Sequence, residues 1–311
     1  MRGNRQKNGF SRKNKPRLAF LAASLLFALA ACGTTPPALP PVHPAAALPP
    51  DMDAYFYLSV AENTELLRGF AEADGNSTMG SRYFLEHSRS IYGAVSKTRG
   101  DAGFLIAAAG DYSVGLVEFG IGTDGAWEET SVLLDGGEAR YYRNKETGME
   151  IAIPSPQLIL MGSGVAERLA WLYAGVSPPL GEDTLGDLES HAAGFYLPRA
   201  GKTGLPPFIP AGSPIPLKEA TLFADPSGRD GLYAASGRLL FADGKNATGA
   251  AIMLRFAFSG LMAQQGYSLA EIRQSLKVAV EARSIVFSGL SFPEEMARMM
   301  LFSLMAGDGN S

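Results

Sequence analysis

The amino-acid sequence predicts an α+β fold: a mainly antiparallel or mixed sheet with helices packed on its faces. Three observations carry that expectation. Short β-branched and aromatic runs alternate with turn dipeptides through the middle of the chain. Stretches with apolar residues at helical spacing lie on both sides of them. Of the 311 residues 46% are hydrophobic and 19% charged, which is enough apolar material for a sizeable core.

Taken in order, the start of the chain reads as an export signal rather than as structure. Arg2, Arg5, Lys7, Arg12, Lys13, Lys15 and Arg17 precede an uncharged run from Leu18 to Ala31. That run is shorter than the roughly 20 residues a membrane-spanning helix needs. It ends Leu29-Ala30-Ala31-Cys32, followed by Gly33. This resembles the lipobox of bacterial lipoproteins. The resemblance implies that residues 1–31 are a signal peptide, and that Cys32 becomes the mature N-terminus. It also implies a diacylglyceryl thioether and an N-acyl chain such as palmitate on Cys32. Two or three acyl chains hold a bilayer stably where one is marginal. A secreted protein with an incidental cysteine, or a short buried helix, are the readings it competes with. Gly33 in place of aspartate favours the periplasmic face of the outer membrane over the inner membrane.

The leader holds seven of the 27 basic residues and no acid, so the remainder carries 20 basic against 31 acidic residues, a net charge of about -11. Such a body repels phosphate backbones, and nucleic acid is not an expected partner. A single cysteine leaves no intramolecular disulfide and no cysteine-cluster metal site. Beyond the covalent lipid, no cofactor or metal is expected.

Residues 32–50 read as the lipidated cysteine and a Pro/Ala-rich tether, uncharged and extended, reaching up to roughly 50 Å. His43 is incidental in that reading. Residues 51–306 are expected to form one body, with candidate halves at 51–175 and 192–306, and 307–311 a tail. Within it the pattern predicts a strand at 54–60 and helices at 64–73 and 79–96, the latter carrying Tyr83, Phe84, Ile91, Tyr92 and Val95. Strands are expected at 103–109, 113–121, 131–134, 139–143, 149–153 and 158–161, then a helix at 164–174 ended by Gly175. After a strand at 192–197 come strands at 219–224 and 231–242 and helices at 247–264, 269–282 and 293–306, with a strand at 284–289 between the last two. The order strand–helix–helix–strand occurs near both ends, so a duplicated unit is one reading of the body.

Several motifs resemble chemistry and fail on context. Gly120-Ile-Gly122-Thr-Asp-Gly125 has the letters of a dinucleotide-binding loop, but the next residues lead into a strand where a helix is required. A hairpin turn is the expectation there. Ala200-Gly201-Lys202-Thr203 lacks the glycine a phosphate-binding loop needs, since that position is Tyr196. His87 sits at helical spacing between Tyr83 and Ile91 and reads as packed. His191, near Asp187 and Glu189, reads as part of a loop before a strand. Nothing singles out a catalytic residue, triad or carboxylate pair.

The most informative stretch is 247–306. On helix 248–263 Thr248, Arg255 and Ser259 share one stripe and nearly everything else is apolar, which means burial on almost every side or contact with lipid. Ser268 and Glu271 form a capping box, and Ser291 with Glu294 suggest a second. Leu269, Ile272, Leu276 and Val280 should share the inward face of the middle helix. The last helix has no charge after Arg298 and is rich in methionine, which packs adaptably. Ile252, Met253, Phe256, Phe258, Met299, Met300, Leu301 and Phe302 are therefore the candidate lipid- or membrane-contacting residues. Two core helices of an ordinary body are the competing reading.

Together, the lipobox, the Pro-rich segment, the α/β body and these apolar helices resemble the treponemal outer-membrane-associated lipoproteins. That resemblance implies amphipathic helices that sense and enter the bilayer and an apolar cavity that holds lipid. The expected function is a membrane-anchored, non-enzymatic lipoprotein that binds a fatty acid, phospholipid or other amphiphile. Reversible membrane association would run through its apolar helices. The alternatives are an envelope-assembly lipoprotein that binds a protein partner, and a carboxylate-dependent hydrolase.

Overall fold

A computed structural model describes residues 39–73, 79–96, 103–135, 137–203, 216–229 and 231–305. Cys32 and the leader lie outside them. The framework is one 12-stranded sheet, and every pairing between its strands is antiparallel. In chain order the strands are β1 (Ala54–Ser59), β2 (Ser88–Ser96), β3 (Gly103–Gly110), β4 (Trp127–Leu134), β5 (Gly137–Asn144) and β6 (Glu150–Ser155). β7 (Leu158–Gly162), β8 (Ala193–Leu197), β9 (Leu217–Pro226), β10 (Leu232–Phe241), β11 (Lys277–Glu281) and β12 (Ser284–Pro293) complete them. Their order across the sheet is β11-β12-β10-β9-β8-β1-β2-β3-β7-β6-β5-β4. The first seven strands and the last five thus form two contiguous blocks, joined where β1 pairs with β8.

The helices are α1 (Thr64–Ala73), α2 (Met79–His87), α3 (Val114–Thr123), α4 (Val165–Tyr173), α5 (Glu182–Glu189), the one-turn α6 (Ala200–Thr203), α7 (Gly244–Gln264), α8 (Leu269–Ser275) and α9 (Glu294–Met305). Strand alternation sorts the core into two layers. On β1, Ala54, Phe56 and Leu58 face one side with Leu66 of α1, Phe258 of α7 and Ala297 of α9. Tyr55 faces the other, with Leu169 and Leu172 of α4 and Leu185 and Leu188 of α5. Buried Asn63 clamps the junction of the two blocks. Its Nδ2 donates to the Ser59 and Ala192 carbonyls at 2.8 and 2.7 Å, and its Oδ1 accepts from the Tyr233 hydroxyl at 3.0 Å.

The structure corrects several expectations. Residues 79–96 are helix only to His87; Tyr92 and Val95 belong to β2, because an apolar run that short has no unique period. Residues 113–121 form α3 rather than a strand, so the Gly120–Gly125 motif is a helix end and not a hairpin. The stretch 269–282 divides into α8 and β11, and Leu269 and Val280 point outward instead of inward. The Ser268–Glu271 capping box is present. Ser291 caps nothing: it lies in β12, buried, and accepts from the Tyr267 hydroxyl at 3.0 Å. The repeated element order exists, but its pairing differs. β1 pairs directly with β2, whereas β10 pairs with β12 and leaves β11 outermost.

The largest correction concerns the tether. Pro44–Ala47 form a single 3-10 turn, and Ala45, Ala46, Ala47 and Leu48 are all at most 2% exposed. Four small or aliphatic residues without a polar atom in their side chains fit the shallow space between α4 and β2–β3. Proline at the first helical position supplies the turn. The segment is a strap, not a spacer, from His43 onward.

Candidate functional site

α7 starts at Asp243, whose carboxylate accepts from the Asn246 amide at 2.9 Å. Its inner face follows helical spacing through Ala247, Ala250, Ala251, Leu254, Phe258 and Met262, all buried. Ile252, Met253 and Phe256 project from the outer face, Phe256 76% exposed. Arg255 is the sole charge between Thr248 and Gln264. Its guanidinium donates to the Val278 carbonyl on edge strand β11. Among the described residues, Ile252, Met253 and Phe256 therefore stand exposed on the outer side of α7.

Below α7 and α9 lies an apolar cavity of about 40 Å³, lined by Leu58, Leu66, Phe195, Phe258, Phe292 and Met296 among others. Ligand pockets run to roughly 300–1,000 Å³, so a lipid chain does not fit while these helices stay closed. Its walls come from α1, α7, α9 and five strands, so outward movement of a helix enlarges it directly.

Of the eight helix residues singled out from sequence, Ile252, Met253, Phe256 and Met299 are exposed. Phe258 is not. At 1% exposure it faces the sheet, with its ring 5.1 Å from that of Phe287, because it lies one turn beyond buried Leu254. Met300, Leu301 and Phe302 lie within the α9 backbone, but their side chains fall outside the described residues, as does Cys32. Sequence reasoning missed α3. None of its residues is fully buried, and Leu116 and Phe119 stand out from it. Its half-covered positions Val114, Val117, Glu118 and Ile121 keep helical spacing, a signal the glycines around them obscured.

On the opposite face the strap, α4 and α5 cover an apolar layer, and polar contacts fix the strap. The Ala45 amide donates to His43 Nδ1 at 3.2 Å, which places the ring proton on Nε2, 3.0 Å from Glu189 Oε1. The Tyr92 hydroxyl donates to the same oxygen at 2.9 Å, and its ring meets that of His43 edge-on. Burial pushes the Tyr92 phenol well above its ordinary range, and it raises Tyr55, Tyr57 and Tyr196 on the same face. Tyr55 secures the strap's exit, donating to the Pro49 carbonyl at 2.9 Å. His191 stacks on Phe223 and sits 2.7 Å from Asp225, which also accepts from the Ala192 amide. Its partner is thus neither Asp187 nor Glu189. His87 lies 3.0 Å from the Asp111 carbonyl and stacks on Tyr83. Among the described residues no three His, Cys, Asp or Glu side chains could hold a metal, and no helix is long and apolar enough to cross a membrane.

Comparison with known proteins bears on the fold. Residues 41–182 match the model of a family described as outer membrane-associated lipoprotein TP0453. No curated protein matches in sequence. Among solved structures, crystal form I of TP0453 superposes with a TM-score of 0.64 at 17% identity, covering 85% of this chain and 98% of that one. Crystal form III gives 0.62 at 17% identity over 85% and 99%, and crystal form IV 0.59 at 17% over 84% and 96%. The likeness read from the sequence layout therefore holds for the body, which has the fold of TP0453 and, over residues 41–182, matches the outer membrane-associated lipoprotein family named for it.

Proposed function

We propose that the protein is a non-enzymatic lipoprotein of the cell envelope, anchored through Cys32 to the periplasmic face of the outer membrane. It binds a lipid or amphiphile, of fatty acid or phospholipid type, and associates reversibly with the membrane through α7 and α9. One observation carries this reading: the exposed residues Ile252, Met253 and Phe256 sit on the helix whose inner face roofs the apolar cavity. Burying one such side chain in lipid is worth roughly 1.5–3 kcal/mol, so three of them offset part of the cost of opening the cavity. The methionines of α9 repack easily around a changed partner.

The test uses the acyl-free body, residues 33–311, mixed with phospholipid vesicles. Wild type should co-float with the vesicles. Phe256→Asp should lose binding and keep its circular dichroism spectrum, because the side chain contributes little to the core. Failure of the wild-type body to bind at any lipid composition or pH would remove the membrane part of the reading. The presence of co-purifying fatty acid tests the ligand part separately. A second reading, an assembly factor that pairs with a protein strand, draws on Leu133, 84% exposed on the edge strand β4. There Leu133→Lys should abolish the partnership and leave vesicle binding alone.

A further inference from the structure

Residues 39–48 connect the lipid anchor to the body, and their docking settles how far the anchor reaches. The strap lies on the α4–α5 face, with Leu39 and Val42 partly covered and Ala45–Leu48 buried. The exposed apolar residues of α7 lie on the opposite face of the same sheet. Six residues, 33–38, separate Cys32 from Leu39, so the two are at most about 25 Å apart when that stretch is fully extended.

Place the outer surface of α7 on a bilayer. The helix layer, the sheet and the strap layer then stand between that bilayer and Leu39, roughly 25 Å in all. The six-residue leash must also travel around the body, because it cannot pass through the sheet. With the strap docked it falls short. If residues 39–50 leave the surface, the free chain runs from Cys32 to Asp51, about 65 Å at full extension.

We propose that the strap is a latch on membrane engagement. Docked through Ala45–Leu48 and the His43–Glu189–Tyr92 contact, it holds the α7 face away from the leaflet that carries the anchor; released, it lets that face down onto it. This rests on the reading of Cys32 as acylated and of α7 as lipid-contacting. The latch is intramolecular, and its occupant is a named segment of this chain.

The experiment uses acylated full-length protein in vesicles, with Met253→Cys labelled by an environment-sensitive thiol probe; a lipidated Cys32 does not react. Three forms are compared: the latch intact, Ala47→Asp to expel the strap, and an insertion of about twelve Gly/Ser residues after Gly33. The insertion lengthens the leash by an amount that clears the body and leaves every strap contact in place. The intact form should leave the probe open to an aqueous quencher. Both other forms should shield it several-fold, with the insertion decisive should Ala47→Asp disturb the fold. Amide exchange at Ala45–Leu48 should stay slow in the intact and inserted forms and become fast in Ala47→Asp. Equal shielding in the intact and inserted forms overturns the latch, as does an exposed probe in the inserted form when the same labelled body, free of acyl chains, binds added vesicles. If that acyl-free body ignores vesicles, the lipid reading itself fails and takes the latch with it.

Discussion

On one face of the sheet Ala45, Ala46, Ala47 and Leu48 lie at most 2% exposed under α4; on the other, Phe256 stands 76% exposed on a helix with a single charge in its last seventeen residues. The composition of the two segments would suggest the reverse. An uncharged, proline-rich stretch reads as a spacer, and an apolar helix reads as core. What separates them is size and partner. Three alanines and a leucine fill a shallow groove completely and have a tyrosine, a histidine and a glutamate to fix their ends. α7 carries apolar side chains around more than half its circumference, and one face of a sheet can cover only one side of a helix. Its surplus faces outward. A closed, polar-edged face and an open apolar one therefore coexist on the same framework.

The contrast breaks most sharply under the strap. Leu172 of α4 is fully buried in the core on the strap face, so Leu172→Ala should cost about 2–5 kcal/mol in chemical denaturation through lost burial and a residual cavity. A cost under about 1 kcal/mol would mean that the strap face is as loose as the α7 face.

A second test separates the faces by pH. Burial raises the phenols of Tyr55, Tyr57, Tyr92 and Tyr196 on the strap face. On the helix face it raises Tyr112, and Tyr233 to about 12. Each group keeps its proton longer in the folded chain than in the unfolded one. The stability it contributes is therefore complete below pH ~10 and is lost as pH rises through the folded-state value. Thermal unfolding should shift to lower temperature from pH ~10 to 12. Tyr92→Phe should flatten that loss more than Tyr233→Phe does, because the strap face holds the denser cluster. An unchanged melting temperature across that range would show these phenols to be solvated.

How much of this was legible in the sequence depends on which physical signal each element carries. The strand β1, helix α4 with its stop at Gly175, the β9–β10 pair and the Ser268–Glu271 cap all follow from local patterns, and each is present. Gly175 is at φ 67, where a side chain would be strained. Helix–strand transitions without a turn residue, at His87–Ser88 and Ser275–Lys277, were not legible, since neither period changes across them until several residues have passed. α5 was missed because its apolar content is low. It packs through Leu188 onto Gly194, where a Cβ would come within 2.7 Å of the leucine, so a glycine on another element makes room for it. At the candidate site Ile252, Met253, Phe256 and Met299 are exposed, whereas Phe258 is core. Composition shows that a helix has apolar surplus; only the position of the sheet shows on which side.

The smallest expected effect sharpens the comparison furthest. Ile252, Met253 and Phe256 are between 55% and 76% exposed, so replacing all three with serine removes mostly solvent-facing surface. Helix propensity changes by only a few tenths of a kcal/mol per site, and surface substitutions of this kind normally stay within about 0.5 kcal/mol each. The triple variant should therefore unfold at nearly the same denaturant midpoint as wild type. A clear stabilisation would identify the outer face of α7 as surface that the folded chain carries at a cost to its own stability. A loss of several kcal/mol would instead show that these side chains pack against something in solution. In that case the open face is covered by another part of the chain or a second copy, and the asymmetry between the two faces disappears. Sedimentation velocity on the same samples distinguishes those two covers, because only a second copy changes the mass.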